Sequence, residues 1–130
     1  MSGATIRMSA KKQNSLQEIH ERIHYIEGAE QVSKTVQTIH DVTIWMLVYE
    51  KFYMRTGSYT SLTVVLAEHG QEQTACVVSS GGGEGMVNQS LGANRNFAKA
   101  CVQILEGCGF TVVESDLDVR GKGFVERFLK

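Results

Sequence analysis

The chain has 130 residues, 42% hydrophobic and 21% charged, with 13 Lys and Arg against 14 Asp and Glu for a net charge of -1. This length suits one α+β or similar domain spanning residues 1–130, because chains of about 150 residues bury roughly two thirds of their unfolded surface, and the composition is that of an ordered globular protein. The near-zero charge offers no bulk attraction for nucleic acid or an anionic membrane, and no run of about 18 apolar residues exists to span one, so neither is expected as a partner.

The first residues, MSGATIRMSAKKQN, lack the apolar run of a signal peptide, which predicts a cytoplasmic protein. Three cysteines, Cys76, Cys101 and Cys108, form no C-x-x-C pair, which fits a reducing compartment and gives no cysteine-based zinc site. ATIRMSA, residues 4–10, alternates as a short strand, and KKQN is a solvated turn. Ser15 with Glu18 three residues on reads as a capping box, so a helix begins there. Leu16, Ile19, Ile23 and Ile26 follow at helical spacing, and Gly28 is placed to end the helix in a left-handed conformation. Next come β-rich runs at hairpin spacing, KTVQTIHDV from Lys34, TIWMLVYEKFYMR, SLTVVLA and TACVVSS, which predict an antiparallel meander. After the glycine-rich loop SSGGGEGMVNQSLGAN, the run NFAKACVQILEGCG is a second helix with Phe97, Cys101, Ile104 and Leu105 inward, ended by Gly107 or Gly109. FTVVE, residues 110–114, is a last strand, and the tail LDVRGKGFVERFLK carries Phe124, Val125, Phe128 and Leu129 in a pattern suited to a docking helix.

HERIH, His20 to His24, matches the H-E-x-x-H spacing that sets two imidazoles on one helical face with a glutamate as general base. On a helical projection His20 lies about 80° from the middle of the apolar stripe and His24 about 120° away, so both are expected on the flank or in solvent. A third ligand would have to come from Glu27, Glu30, His40, His69 or a more distant acid, none at a recognised peptidase spacing, and Arg22 sets a cation beside the metal position. A zinc hydrolase using His20, Glu21 and His24 is therefore the alternative, and no metal or other cofactor is the expectation.

TIWMLVYEKFYMR is apolar on both faces at its start and polar at its end. With two helices to cover one face of a sheet, the face bearing Trp45, Leu47 and Tyr49 needs another cover, which the tail, a bound ligand or a second copy of the protein could supply, and a second copy is the expected one. A strand buried inside one subunit explains the same pattern. Lys51, Tyr53 and Arg55 alternate as a cationic and aromatic stripe. Gly81, Gly82, Gly83 and Gly85 leave backbone amides unshielded ahead of a helix start, the means by which a chain approaches an anion closely. No G-K-[ST] follows and no βαβ unit surrounds the loop, so it is neither a Walker loop nor a dinucleotide fingerprint. Gly81, Gly82, Gly83, Gly85, Lys51, Tyr53 and Arg55 are the candidate ligand site, with no catalytic set recognisable.

VYEKFYMRTGSYTSLTVVLAEHG and ACVVSSGGGEGMVNQSLGANRNFAKACVQIL resemble a family of small bacterial proteins classed as a domain of unknown function, over about residues 42–105, with the segment from about residue 108 to 130 as an extension. The resemblance implies a helix, antiparallel strands, the glycine loop and a second helix, and it implies no activity. Together these readings predict an α+β domain of about five or six antiparallel strands with two helices on one face. The expected function is a non-enzymatic binding or regulatory module that self-associates. A small anionic ligand or a protein partner remains open, and an enzyme acting on a small anion at the glycine loop is the further alternative.

Overall fold

The computed structural model describes residues 4–54, 57–81 and 87–116, with residues 87–94 as backbone only. In chain order these form β1 (Ala4–Lys11), α1 (Leu16–Ile23), β2 (Glu30–Ile39), β3 (Val42–Tyr53), β4 (Ser58–His69), β5 (Glu72–Gly81), α2 (Val87–Gly107) and β6 (Thr111–Ser115). One antiparallel sheet results, in the order β2-β3-β4-β5-β1-β6. The meander is β2 to β5, as the hairpin spacing predicts, while β1 lies between β5 and β6.

Local chemistry sets the boundaries. Ser15 Oγ accepts from the Glu18 amide at 3.1 Å while the Ser15 amide donates to Glu18 Oε1 at 2.8 Å, which is the expected capping box. β2 runs straight into the turn at His40 and Asp41, where His40 takes a φ of 55°. The sequence run that continued through this point is therefore two strands, and β2 starts four residues earlier than Lys34 because a bulge between Gln31 and Ser33 breaks the alternation there. Gly57 closes the β3–β4 loop, its amide donating to the Tyr53 carbonyl at 2.9 Å. At the end of α2 the Phe110 amide bonds to the Leu105 carbonyl at 3.0 Å and the Gly109 amide to that of Glu106 at 3.0 Å. Gly109, with φ 94°, is the left-handed residue that this arrangement requires.

Both helices cover one face. Leu16, Ile19 and Ile23 of α1 and Phe97, Cys101 and Leu105 of α2 close over Ile6, Met8, Leu47, Tyr49, Leu62, Val64, Leu66 and Val77. This corrects the expected use of Trp45, Leu47 and Tyr49. Leu47 and Tyr49 are 0% exposed and Trp45 packs against the same core, so their face lies beneath the helices and is no surface for self-association. The uncovered face carries the other parity of β3, Ile44, Met46 and Val48. Alternation alone could not distinguish the two, since both faces of this strand begin apolar. No helix of the described residues is long and apolar enough to cross a membrane.

Candidate functional site

Strand register brings together part of the predicted ligand site. Lys51 of β3 pairs with Thr60 of β4, and Thr60 pairs with Gly81 of β5, so the three form one row across the sheet on the helix-covered face. The next row inward is Tyr49, Leu62 and Ser79. Gly81 is the last residue of β5, with φ 106°, and a β-carbon there would stand 3.0 Å from the Tyr59 carbonyl oxygen. Only glycine fits that turn out of the sheet. Lys51 lays its stem against Gly28, where a β-carbon would meet Lys51 Cε at 3.3 Å, and its ammonium lies 5.1 Å from the Tyr53 ring centre. Tyr53 in turn stands edge-on to Phe97 of α2, with centroids 6.4 Å apart. Gly82, Gly83, Gly85 and Arg55 lie outside the described residues.

Two further residues lie on these rows. Tyr49 and Thr60 are fully buried, and neither hydroxyl has a hydrogen-bond partner among the described residues. Two other buried atoms share that condition, His20 Nδ1 and Gln73 Oε1, but those side chains are engaged through their second polar atom: His20 Nε2 meets Gln31 Oε1 at 2.6 Å, and Gln73 Nε2 donates to the Asn14 carbonyl at 2.8 Å. Burial, with the nearby Cys101 thiol, pushes the Tyr49 phenol up to about 12. It therefore stays a neutral hydroxyl, able to donate. Burial, then Cys108, likewise pushes the Cys101 thiol up to about 12, which removes it as a nucleophile. Tyr49, Thr60 and Lys51 thus put two neutral hydroxyls and one ammonium, all able to donate to an anion, on adjacent rows of one sheet face.

Sequence reasoning named Lys51 and Gly81 among the candidates and did not name Thr60 or the Tyr49 hydroxyl. β3 ends at Tyr53, two residues short of the Arg55 at which the sequence run ended, and β4 begins at Ser58, which sets Lys51 opposite Thr60. What no pattern shows is which hydroxyls lack a partner.

The HERIH motif is placed differently from its projection. His20 is 6% exposed, packed edge-on to Trp45 at 5.6 Å and 4.4 Å from the His24 ring, because the β2–β3 hairpin reaches past the apolar stripe and covers the flank. His24 remains exposed, edge-on to Tyr49 at 5.8 Å. Glu21 is on the solvent side, accepting from Gln17 Nε2 at 3.2 Å. Among the described residues no three His, Cys, Asp or Glu side chains converge to hold a metal.

No curated protein matches the chain. A family model described as "Family of unknown function (DUF6054)" matches residues 1–109. The match takes in β1 and α1 as well as the segment on which the sequence resemblance rested, and it ends at Gly109, the left-handed residue that closes α2. From β1 to the end of α2, the chain belongs to the Family of unknown function (DUF6054).

Proposed function

We propose that this protein is a non-enzymatic, self-associating binding module of the cytoplasm that holds a small anion at the corner formed by Lys51, Thr60 and Tyr49 beside Gly81. The observation that carries this reading is the pair of fully buried hydroxyls that lack a partner among the described residues, on adjacent rows of one sheet face. Leaving such a group unpaired costs about 1–3 kcal/mol. A bound oxyanion or carboxylate would satisfy both hydroxyls and place its charge near the Lys51 ammonium, with the first glycine of the loop allowing close approach. Among the described residues here, Lys51, Thr60 and Tyr49 bring donors rather than a general base or an activated nucleophile, so binding rather than turnover is the reading they support. Three free thiols fit a reducing compartment.

The test is a melting-temperature screen of the full chain with inorganic phosphate, carboxylates, sugar phosphates and nucleotides. A stabilising ligand is expected for the wild type. Thr60→Val should melt no lower than wild type without ligand, because it removes an unpartnered hydroxyl of nearly the same volume, and should lose most of the ligand shift. No shift with any compound, or a full shift retained in Thr60→Val, would sink the anion site.

A further inference from the structure

The face of the sheet turned away from the helices has no cover among the described residues, and its size and charge narrow what can lie on it. Its apolar block lies on β3, β4 and β5 alone, in three rows from Ile44 to Val48, with Met46, Val65 and Cys76 across the middle. Three strands by three rows measure about 14 by 20 Å, on the order of 300 Å², well short of the roughly 800 Å² that each partner gives to a standard protein interface. One short helix, about 10–12 Å across, is of that size. The charge is one-sided. Glu30 and Glu50 stand opposite each other on β2 and β3, both exposed and without an ion pair among the described residues. The cations on the same face are already engaged, Arg7 with Glu114 at 2.9 Å and Lys11 with Glu72 at 3.5 Å. Like charges directly opposite each other destabilise a sheet, so a cationic cover relieves Glu30 and Glu50.

We infer that residues 117–130 of the same chain, LDVRGKGFVERFLK, dock on this face as a cationic amphipathic helix, with Phe124, Val125, Phe128 and Leu129 on the apolar block and its cations beside Glu50 and Glu30. This goes beyond the reading above and assigns self-association to a surface other than this one. Of the 13 Lys and Arg and 14 Asp and Glu in the chain, four and two fall in this segment, so its side chains carry +2 against −3 for residues 1–116. The four apolar residues follow at i, i+1, i+4 and i+5, a stripe of about 140° on a helix, with Arg127 on one flank and Lys122 on the other. The path fits as well. Asp116 lies at the end of β6, its amide donating to the Thr5 carbonyl at 3.0 Å. Thr5 heads an uncharged row through Val78 and Thr63 to Val48, which leads from β1 across to β3. Glu50 is two residues further along β3, so it lies four strand spacings across and two residues along from Asp116, about 20 Å away. A segment of this length spans about 21 Å even when wholly helical, and more where Gly121 and Gly123 let it extend.

Two measurements on the full chain test this. Cys76 lies in the middle row of the block while Cys101 and Cys108 are buried in the core, so labelling of Cys76 by a thiol reagent reads whether the block is covered. In the wild type the labelling is expected to be slow and the same at every protein concentration, and at least about tenfold faster in Phe124→Asp/Phe128→Asp, where the cover opens. The second measurement uses the wild type alone. A zero-length carbodiimide cross-link is expected within one chain between Lys122 or Lys130 and Glu50 or Glu30. Labelling unchanged by the double substitution, or cross-links from these two lysines to other carboxylates only, would overturn the placement. Labelling that slows as protein concentration rises, or the expected cross-link found only in a covalent dimer, would overturn the intrachain occupant and give the face to a second copy. Neither measurement bears on the ligand screen.

Discussion

His24 links the packing of α1 to pH. Burial lowers its pKa below the ordinary 6.5, the neighbouring His20 and Lys34 lower it further, and Glu21 opposes them. The unfolded chain therefore binds a proton at His24 more readily than the folded one does. Stability from this group is complete above pH 6.5 and is lost as the pH falls from 6.5 through the lower folded value. A melting-temperature series should decline just below pH 6.5, and His24→Gln should flatten that part of the curve while leaving the carboxylate region lower down. An identical decline in the variant would assign the titration elsewhere. The imidazole is exposed at the end of α1, so the amplitude is modest.

Element boundaries show what could be read beforehand and what could not. Ser15 and Glu18 announce α1 because a capping box is a local chemical pattern, complete within four residues. Gly109 is equally legible, since a helix C-terminus closed by 6→1 and 5→2 hydrogen bonds needs a left-handed residue. Gly109→Ala should lower the urea midpoint by an amount equivalent to roughly 1–2 kcal/mol with an unchanged denaturant slope, the cost of a β-carbon at φ 94°. A wild-type midpoint would mean that the turn relaxes. The start of β2 was not legible, because the bulge at Val32 breaks its alternation and every position of the strand is exposed. Nor was the turn at His40, where a non-glycine residue takes the positive φ that punctuation by Gly or Pro would have flagged. The burial of His20 depended on a hairpin arriving from later in the chain. For the corner at Lys51, residue types were visible, but pairing with Thr60 and the orphaned hydroxyls are properties of register and burial.

The sheet is held as one body by β1, which pairs with β5 on one side and β6 on the other and places Ile6 and Met8 fully in the core. Ile6→Ala should cost about 2–5 kcal/mol through lost burial and the cavity left behind. Trp45, three strands away and the single tryptophan, should report the same lowered midpoint as far-UV circular dichroism if the fold melts in one cooperative step. A fluorescence transition left at its original midpoint would show that β2 and β3 unfold apart from β1. The position of β1 also governs the order of events during synthesis. Lys11 and Glu72, the last residue of β1 and the first of β5, are 61 residues apart. At about 5–20 residues per second a ribosome needs several seconds to bring the second into existence after the first. Throughout that interval β1 has been made but has neither of its native neighbours, and β6 arrives later still. The meander can zip from hairpin to hairpin as it emerges, whereas the strand made first must wait for the sheet that will receive it.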